Sequence, residues 1–139
     1  MAQYAGGASN RTYLLTFPKR EVVVRTPPAG RKAASSHDMG REARVMAALA
    51  GRFPVPPVLA QCQDPAIIGQ PFYAMERVRG IILRADAPPG VALGPDLAGR
   101  LADRMTDLFV GLHALDPHDL GLADLDRGPG YVQRQVRGW

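Results

Sequence analysis

The feature that most constrains the fold is a pair of strand-length runs separated by only three residues. Arg11-Thr12-Tyr13-Leu14-Leu15-Thr16-Phe17 is rich in aliphatic, aromatic and β-branched side chains; Pro18-Lys19-Arg20 breaks it, and Glu21-Val22-Val23-Val24-Arg25-Thr26 resumes it. Such side chains favour an extended, pleated backbone. A connection this short pairs the two runs antiparallel, because a parallel pairing needs a long crossover. Pro27-Pro28-Ala29-Gly30 ends the second run.

The next segment changes period. From about residue 35, Met39, Ala43, Met46 and Ala50 recur at helical spacing on one face, with Glu42 on that same face. Ser35 or Ser36 can cap this helix, Asp38 suits its positive end, and Gly51 stops it. A carboxylate among core positions requires a partner, because an unpaired charge in apolar surroundings is costly. Two more strands follow, at residues 58–63 and 71–78, with turn signals at Asp64-Pro65 and Gly69-Gln70 between them. Gly80 ends the second. Residues 85–95, carrying three prolines and two glycines, form a surface connection. A helix over 96–115 then carries Leu101, Met105, Leu108, Leu112 and Leu115 as one apolar stripe and stops at Asp116-Pro117. A last, polar helix begins near Gly130 and runs to the end of the chain. The fold class expected is α+β, with a first unit over 1–80 and a second over 81–139.

Composition bounds the function classes. The net charge is +4, but the basic residues are scattered from Arg11 to Arg137, without a block or an aromatic ladder, so nucleic acid is not an expected partner. No apolar stretch approaches membrane-spanning length, and Met1-Ala2-Gln3-Tyr4 has neither a basic nor an apolar leader character; no membrane partner is expected. Cys62 is the sole cysteine, which excludes an internal disulfide and fits a reducing, cytoplasmic setting. His113, Asp116, His118, Asp119, Asp124 and Asp126 cluster in sequence, yet their spacings match no zinc or calcium pattern. No metal ligand is assigned.

Three places can carry chemistry. Gly6-Gly7-Ala8-Ser9-Asn10 precedes the first strand; paired glycines let backbone N–H groups approach a phosphate, and Ser9 and Asn10 add donors. Taken alone, the same residues fit an ordinary hairpin turn. Arg25 ends a strand and Glu42 sits on the inner face of the next helix, an order that suits a cation held by a carboxylate and aimed at polyphosphate. Taken alone, they fit a surface arginine and a solvated glutamate. Residues 72–80 run from a strand into a crossover, and their backbone can pair with a base; they also fit a plain core strand.

Gly6 to Leu15, then Val24-Arg25-Thr26-Pro27-Pro28, then Arg41-Glu42-Ala43-Arg44-Val45-Met46 resemble the aminoglycoside phosphotransferase and choline kinase-like superfamily. The branch is the one related to kinase-like domains fused to acyl-CoA dehydrogenases. Val55-Pro56-Pro57-Val58-Leu59, residues 69–80, Leu112-His113-Ala114-Leu115-Asp116 and Tyr131 to Val136 continue the resemblance in family order. It implies a protein-kinase-like N-terminal lobe, an antiparallel sheet plus one helix, followed by the first helices of an incomplete C-terminal lobe. It also implies ATP with Mg2+ as cofactors, and transfer of the γ-phosphoryl group to a hydroxyl of a small molecule. Gly6, Gly7, Ser9 and Asn10 would form the phosphate loop; Arg25 would stand where the family more often has lysine, positioned by Glu42. Met75, Glu76 and Val78 would form the hinge, with the Glu76 carbonyl and the Val78 N–H facing adenine. The family's His-Gly-Asp loop, its following Asn and its later magnesium-binding Asp have no counterpart in these 139 residues. By that resemblance the chain is a truncated portion, inactive alone, and the alternative is a non-catalytic nucleotide-binding or interaction module. The apolar stripe on 96–115 would then lack its cover, and poor stability or self-association is expected.

Overall fold

A computed structural model describes residues 1–4, 10–28, 38–83, 88–126 and 128–138. The chain divides into two compact units, Met1–Gly94 and Pro95–Trp139. The first unit is built on a five-stranded, wholly antiparallel sheet. Its strands are β1 (Ala2–Gln3), β2 (Arg11–Thr16), β3 (Glu21–Thr26), β4 (Val58–Cys62) and β5 (Phe72–Glu76), in the spatial order β1-β2-β3-β5-β4. The expected hairpin is β2 and β3, in register from Arg11 opposite Thr26 to Thr16 opposite Glu21. Phe17 N–H closes its turn on the Arg20 carbonyl at 2.9 Å. Strand β1 was not foreseen: two residues, Ala2 opposite Leu14 and Gln3 opposite Tyr13, are too few to show a period.

Strand β3 is the centre of the sheet, and its burial shows it. Val22, Val23, Val24 and Thr26 are all buried, although consecutive residues point to opposite faces. Helix α1 (Met39–Leu49) packs on the face that carries Tyr73 and Met75 of β5. Its Met39 and Ala43, one turn apart, close on Tyr73, with Val58 and Met75 packed against them. Tyr73 is completely buried. The helix starts at Asp38, whose carboxylate accepts the Arg41 N–H at 2.9 Å. The serines expected as caps, Ser35 and Ser36, lie outside the described residues. The inner face also differs from expectation at its far end: Leu49 is buried and Ala50 is exposed, while Met46 is half-buried. The larger apolar side chain takes the inward place.

The two turn signals between β4 and β5 are the ends of a single helical turn, α2 (Pro65–Ile68). Asp64 accepts the Ala66 N–H at 2.8 Å, proline occupies the first turn, and Gly69 closes it in the left-handed region at φ 83°. Strand β5 stops at Glu76, two residues earlier than the periodicity suggested, where the Glu76 N–H turns to the Pro57 carbonyl at 2.9 Å.

In the second unit, helix α3 (Pro95–His113) is followed by a 3-10 turn at Ala123–Leu125 and helix α4 (Tyr131–Arg137). Helix α3 stops two residues before the expected Leu115, and the Asp116 carboxylate takes the His118 N–H at 2.8 Å. His113 belongs to the helix end rather than to any site: its Nδ1 lies 2.8 Å from the Phe109 carbonyl, and the two rings are in contact. Helix α4 ends at Arg137, with the Gly138 N–H bonded to the Arg134 and Gln135 carbonyls. No helix among the described residues is long and apolar enough to cross a membrane.

Helix α3 buries none of its residues, and Met105 and Phe109, one turn apart, are 67% and 65% exposed. Apolar surface of this kind promotes association. The chain is expected to self-associate at high concentration, read by light scattering, and Met105→Lys with Phe109→Lys is expected to reduce it. A monodisperse monomer from the unmodified chain would show the stripe to be covered in solution.

Candidate functional site

The antiparallel register sets the site. Arg25 of β3 stands opposite Thr12 of β2 and opposite Tyr73 of β5, so the three form one row across the sheet. Residues opposite one another share a face, and here α1 covers that face. Glu42 lies one turn into α1 and points back at the row. Its Oε1 forms an ion pair with Arg25 Nη2 at 3.0 Å and accepts from the Tyr73 hydroxyl at 3.0 Å. Its Oε2 accepts from Asn10 Nδ2 at 3.1 Å. Three elements thus converge on one carboxylate: the start of β2, the end of β3 and the middle of β5.

The Arg25 and Glu42 side chains are 31% and 29% exposed, so the pair sits at the rim of the core, neither buried nor free in solvent. That position limits its contribution to stability, because water still screens the charges. The Arg25 Nε–H is fully buried and has no hydrogen-bond acceptor among the described residues. Beside the pair, a cleft of about 460 Å3 runs along α1 from Asp38 to Leu49, with Asn10 and Glu42 on its wall.

Tyr73 is the member that sequence reasoning missed. Burial pushes its pKa above the ordinary tyrosine value of 10.0; the Glu42 charge and the hydrogen bond to it act in the same direction, against Arg25. The hydroxyl is therefore protonated at neutral pH and donates to Glu42. The signal for it was present in part: Tyr73 and Met75 alternate along one face of a recognised strand. What was missing was the neighbour of that strand.

The other expected site residues fall as follows. Gly6, Gly7 and Ser9 lie outside the described residues. The Asn10 amide, expected to face phosphate, reaches Glu42. Met75 packs against the core cluster below α1. Glu76 is exposed at the end of β5, and Val78 is 70% exposed in the segment beyond it. Among the described residues no three His, Cys, Asp or Glu side chains converge as a metal site.

A five-stranded antiparallel sheet with one helix on its face, and a strand cation paired with a helix carboxylate, define a lobe of the kinase type. The chain belongs to the phosphotransferase enzyme family, whose model matches residues 1–139. It is similar to acyl-CoA dehydrogenase family member 10 of Mus musculus, 36% identical over 140 residues, covering 100% of this chain and 13% of that protein. It is likewise similar to acyl-CoA dehydrogenase family member 11 of Rattus norvegicus, 38% identical over 140 residues, covering 100% of this chain and 18% of that protein. A crystal structure described as a candidate aminoglycoside phosphotransferase from Ralstonia eutropha JMP134 superposes with a TM-score of 0.78 at 35% identity, covering 99% of this chain and 39% of that one. The chain therefore spans under a fifth of the length of these two relatives.

Tyr73→Phe removes one donor from Glu42 and leaves the ring in place. It is expected to destabilise the chain by about 1 kcal/mol, measured by denaturant unfolding. Because the native pKa of Tyr73 is raised, its contribution is intact below pH ~10 and is lost as pH rises further, where the unfolded chain releases a proton that the native state keeps. The stability gap between the native chain and Tyr73→Phe is thus expected to narrow above that pH. A gap that widened would contradict the assignment.

Proposed function

We propose that this chain holds ATP, as the nucleotide-binding portion of a phosphotransferase that moves the γ-phosphoryl group to a hydroxyl of a small molecule. The observation that carries this reading is Arg25. Its guanidinium is paired with Glu42 through Nη2 at 3.0 Å, while its Nε–H is buried without an acceptor among the described residues. A buried donor left unsatisfied costs roughly 1–3 kcal/mol, so this guanidinium is not fully satisfied by protein partners, and its part-exposed end is free to donate to a phosphate oxygen. Arginine also offers a planar fork that matches phosphate oxygens and stays charged at any physiological pH. Glu42 holds the fork in place, and Tyr73 and Asn10 hold Glu42.

ATP supplies the phosphoryl group and the leaving group; the residues described here orient and neutralise rather than react. Catalysis in this class rests largely on positioning and charge stabilisation, which is what a fixed arginine provides. The described residues do not supply a set of ligands for the magnesium ion that accompanies ATP in such enzymes. The dehydrogenase activity named for the relatives is not carried over, because the matched segment is only 13–18% of those proteins. The family model and the superposed structure both support phosphoryl transfer instead.

Calorimetric titration of the chain with ATP and with adenosine tests the reading. Arg25→Ala is expected to weaken ATP binding by about 10- to 100-fold, the equivalent of one hydrogen bond to a charged group, and to leave adenosine binding unchanged. ATP bound equally well by Arg25→Ala, or not bound by the native chain, would overturn it. The 139-residue chain alone is expected to turn over no ATP above background.

A further inference from the structure

A second carboxylate, Glu21 of β3, is held by two arginines, and nothing in the arginine site uses it. Glu21, the first residue of β3, binds Arg77 Nη1 through Oε1 at 2.6 Å and Arg79 Nη2 through Oε2 at 2.5 Å. The two arginines are 56 and 58 positions away in sequence and lie just beyond the end of β5. Arg77 occupies the step after the Val22–Glu76 pair, where Glu21 is its natural cross-strand neighbour. The ladder itself has stopped: Arg77, Val78 and Arg79 belong to no strand. One carboxylate spans the segment and grips it on both sides of Val78. The Glu21 side chain is 18% exposed and that of Arg77 is 31% exposed, whereas Arg79 is 77% exposed, so the Arg77 arm is the less screened of the two. Val78 itself projects into solvent, and its N–H has no backbone partner among the described residues.

We infer that Glu21 is a positioning residue for adenine recognition, fixing the backbone of residues 76–79 so that the Glu76 carbonyl and the Val78 N–H are presented to the base. This rests on the nucleotide reading above and adds to it a device for the base, separate from the Arg25 device for the phosphates. A coil segment free to sample many conformations must be ordered when a ligand binds, and that ordering subtracts from affinity. A carboxylate that orders the segment in advance removes part of that cost. Its effect belongs to the base and not to the phosphates.

Glu21→Gln keeps the shape of the side chain and removes its charge, and two measurements on the full chain decide the matter. The first is 15N relaxation of the ligand-free protein. The amides of residues 77–79 are expected to become more mobile in Glu21→Gln while those of β2, β3 and β5 stay unchanged. The second is titration with adenosine and ATP. Both are expected to bind roughly 3- to 10-fold more weakly, with the ratio of their dissociation constants unchanged; Arg25→Ala changes that ratio. Unchanged mobility at 77–79 overturns the clamp, as does a rise in mobility spread over the whole sheet. Increased mobility with adenosine affinity unaltered overturns the role in base recognition. Failure of the native chain to bind either ligand overturns the nucleotide reading and the base role with it, and the relaxation data then still decide whether Glu21 holds the segment.

Discussion

The arginine site of the first unit depends on one carboxylate finding three partners. Glu42 carries a charge on the inner side of a helix, at the margin of a core formed by Met39, Ala43 and Tyr73. A charge there is tolerable only when its lone pairs are used, and Arg25, Tyr73 and Asn10 use them. The condition is demanding because the partners come from β3, β5 and the residue before β2. A one-residue slip of β5 would take the Tyr73 hydroxyl away from Glu42, and a turn of α1 by one residue would take Glu42 away from Arg25. The same contacts that keep the charge tolerable also fix the direction of the arginine. Stability and preorganisation here have a single origin.

Elements formed by neighbours in sequence were legible in advance. The β2–β3 hairpin follows from two β-rich runs and a three-residue break, and α1 follows from a change of period. The meeting of Arg25 with Glu42 followed from their places on those elements, once a charge on an inner helix face was required to have a partner. What could not be read was non-local. Strand β5 enters between β3 and β4, and no local pattern announces that choice. Yet it alone puts Tyr73 opposite Arg25 and within reach of Glu42. Tyr73 was therefore visible as a strand residue and invisible as a member of the site. The contact between Asn10 and Glu42 was hidden for a related reason, since it depends on the fold bringing α1 close to the residue before β2. The cap of α1 depended on a single side chain, and Asp38 fills that place.

The alternation of β3 explains how one short strand serves two tasks. Glu21, Val23 and Arg25 point to one face, and Val22, Val24 and Thr26 to the other. The second set is wholly buried and secures the strand at the centre of the sheet. The first set reads as anion, aliphatic, cation. Its anion holds the segment after β5, its cation is held by α1, and the valine between them stands opposite Met75. The strand rise places Glu21 and Arg25 about 13 Å apart along the backbone, with the buried Val23 between them. The two ion pairs are thus not interchangeable. One holds the segment that follows β5, the other fixes a guanidinium beside α1, and β3 between them sets their separation.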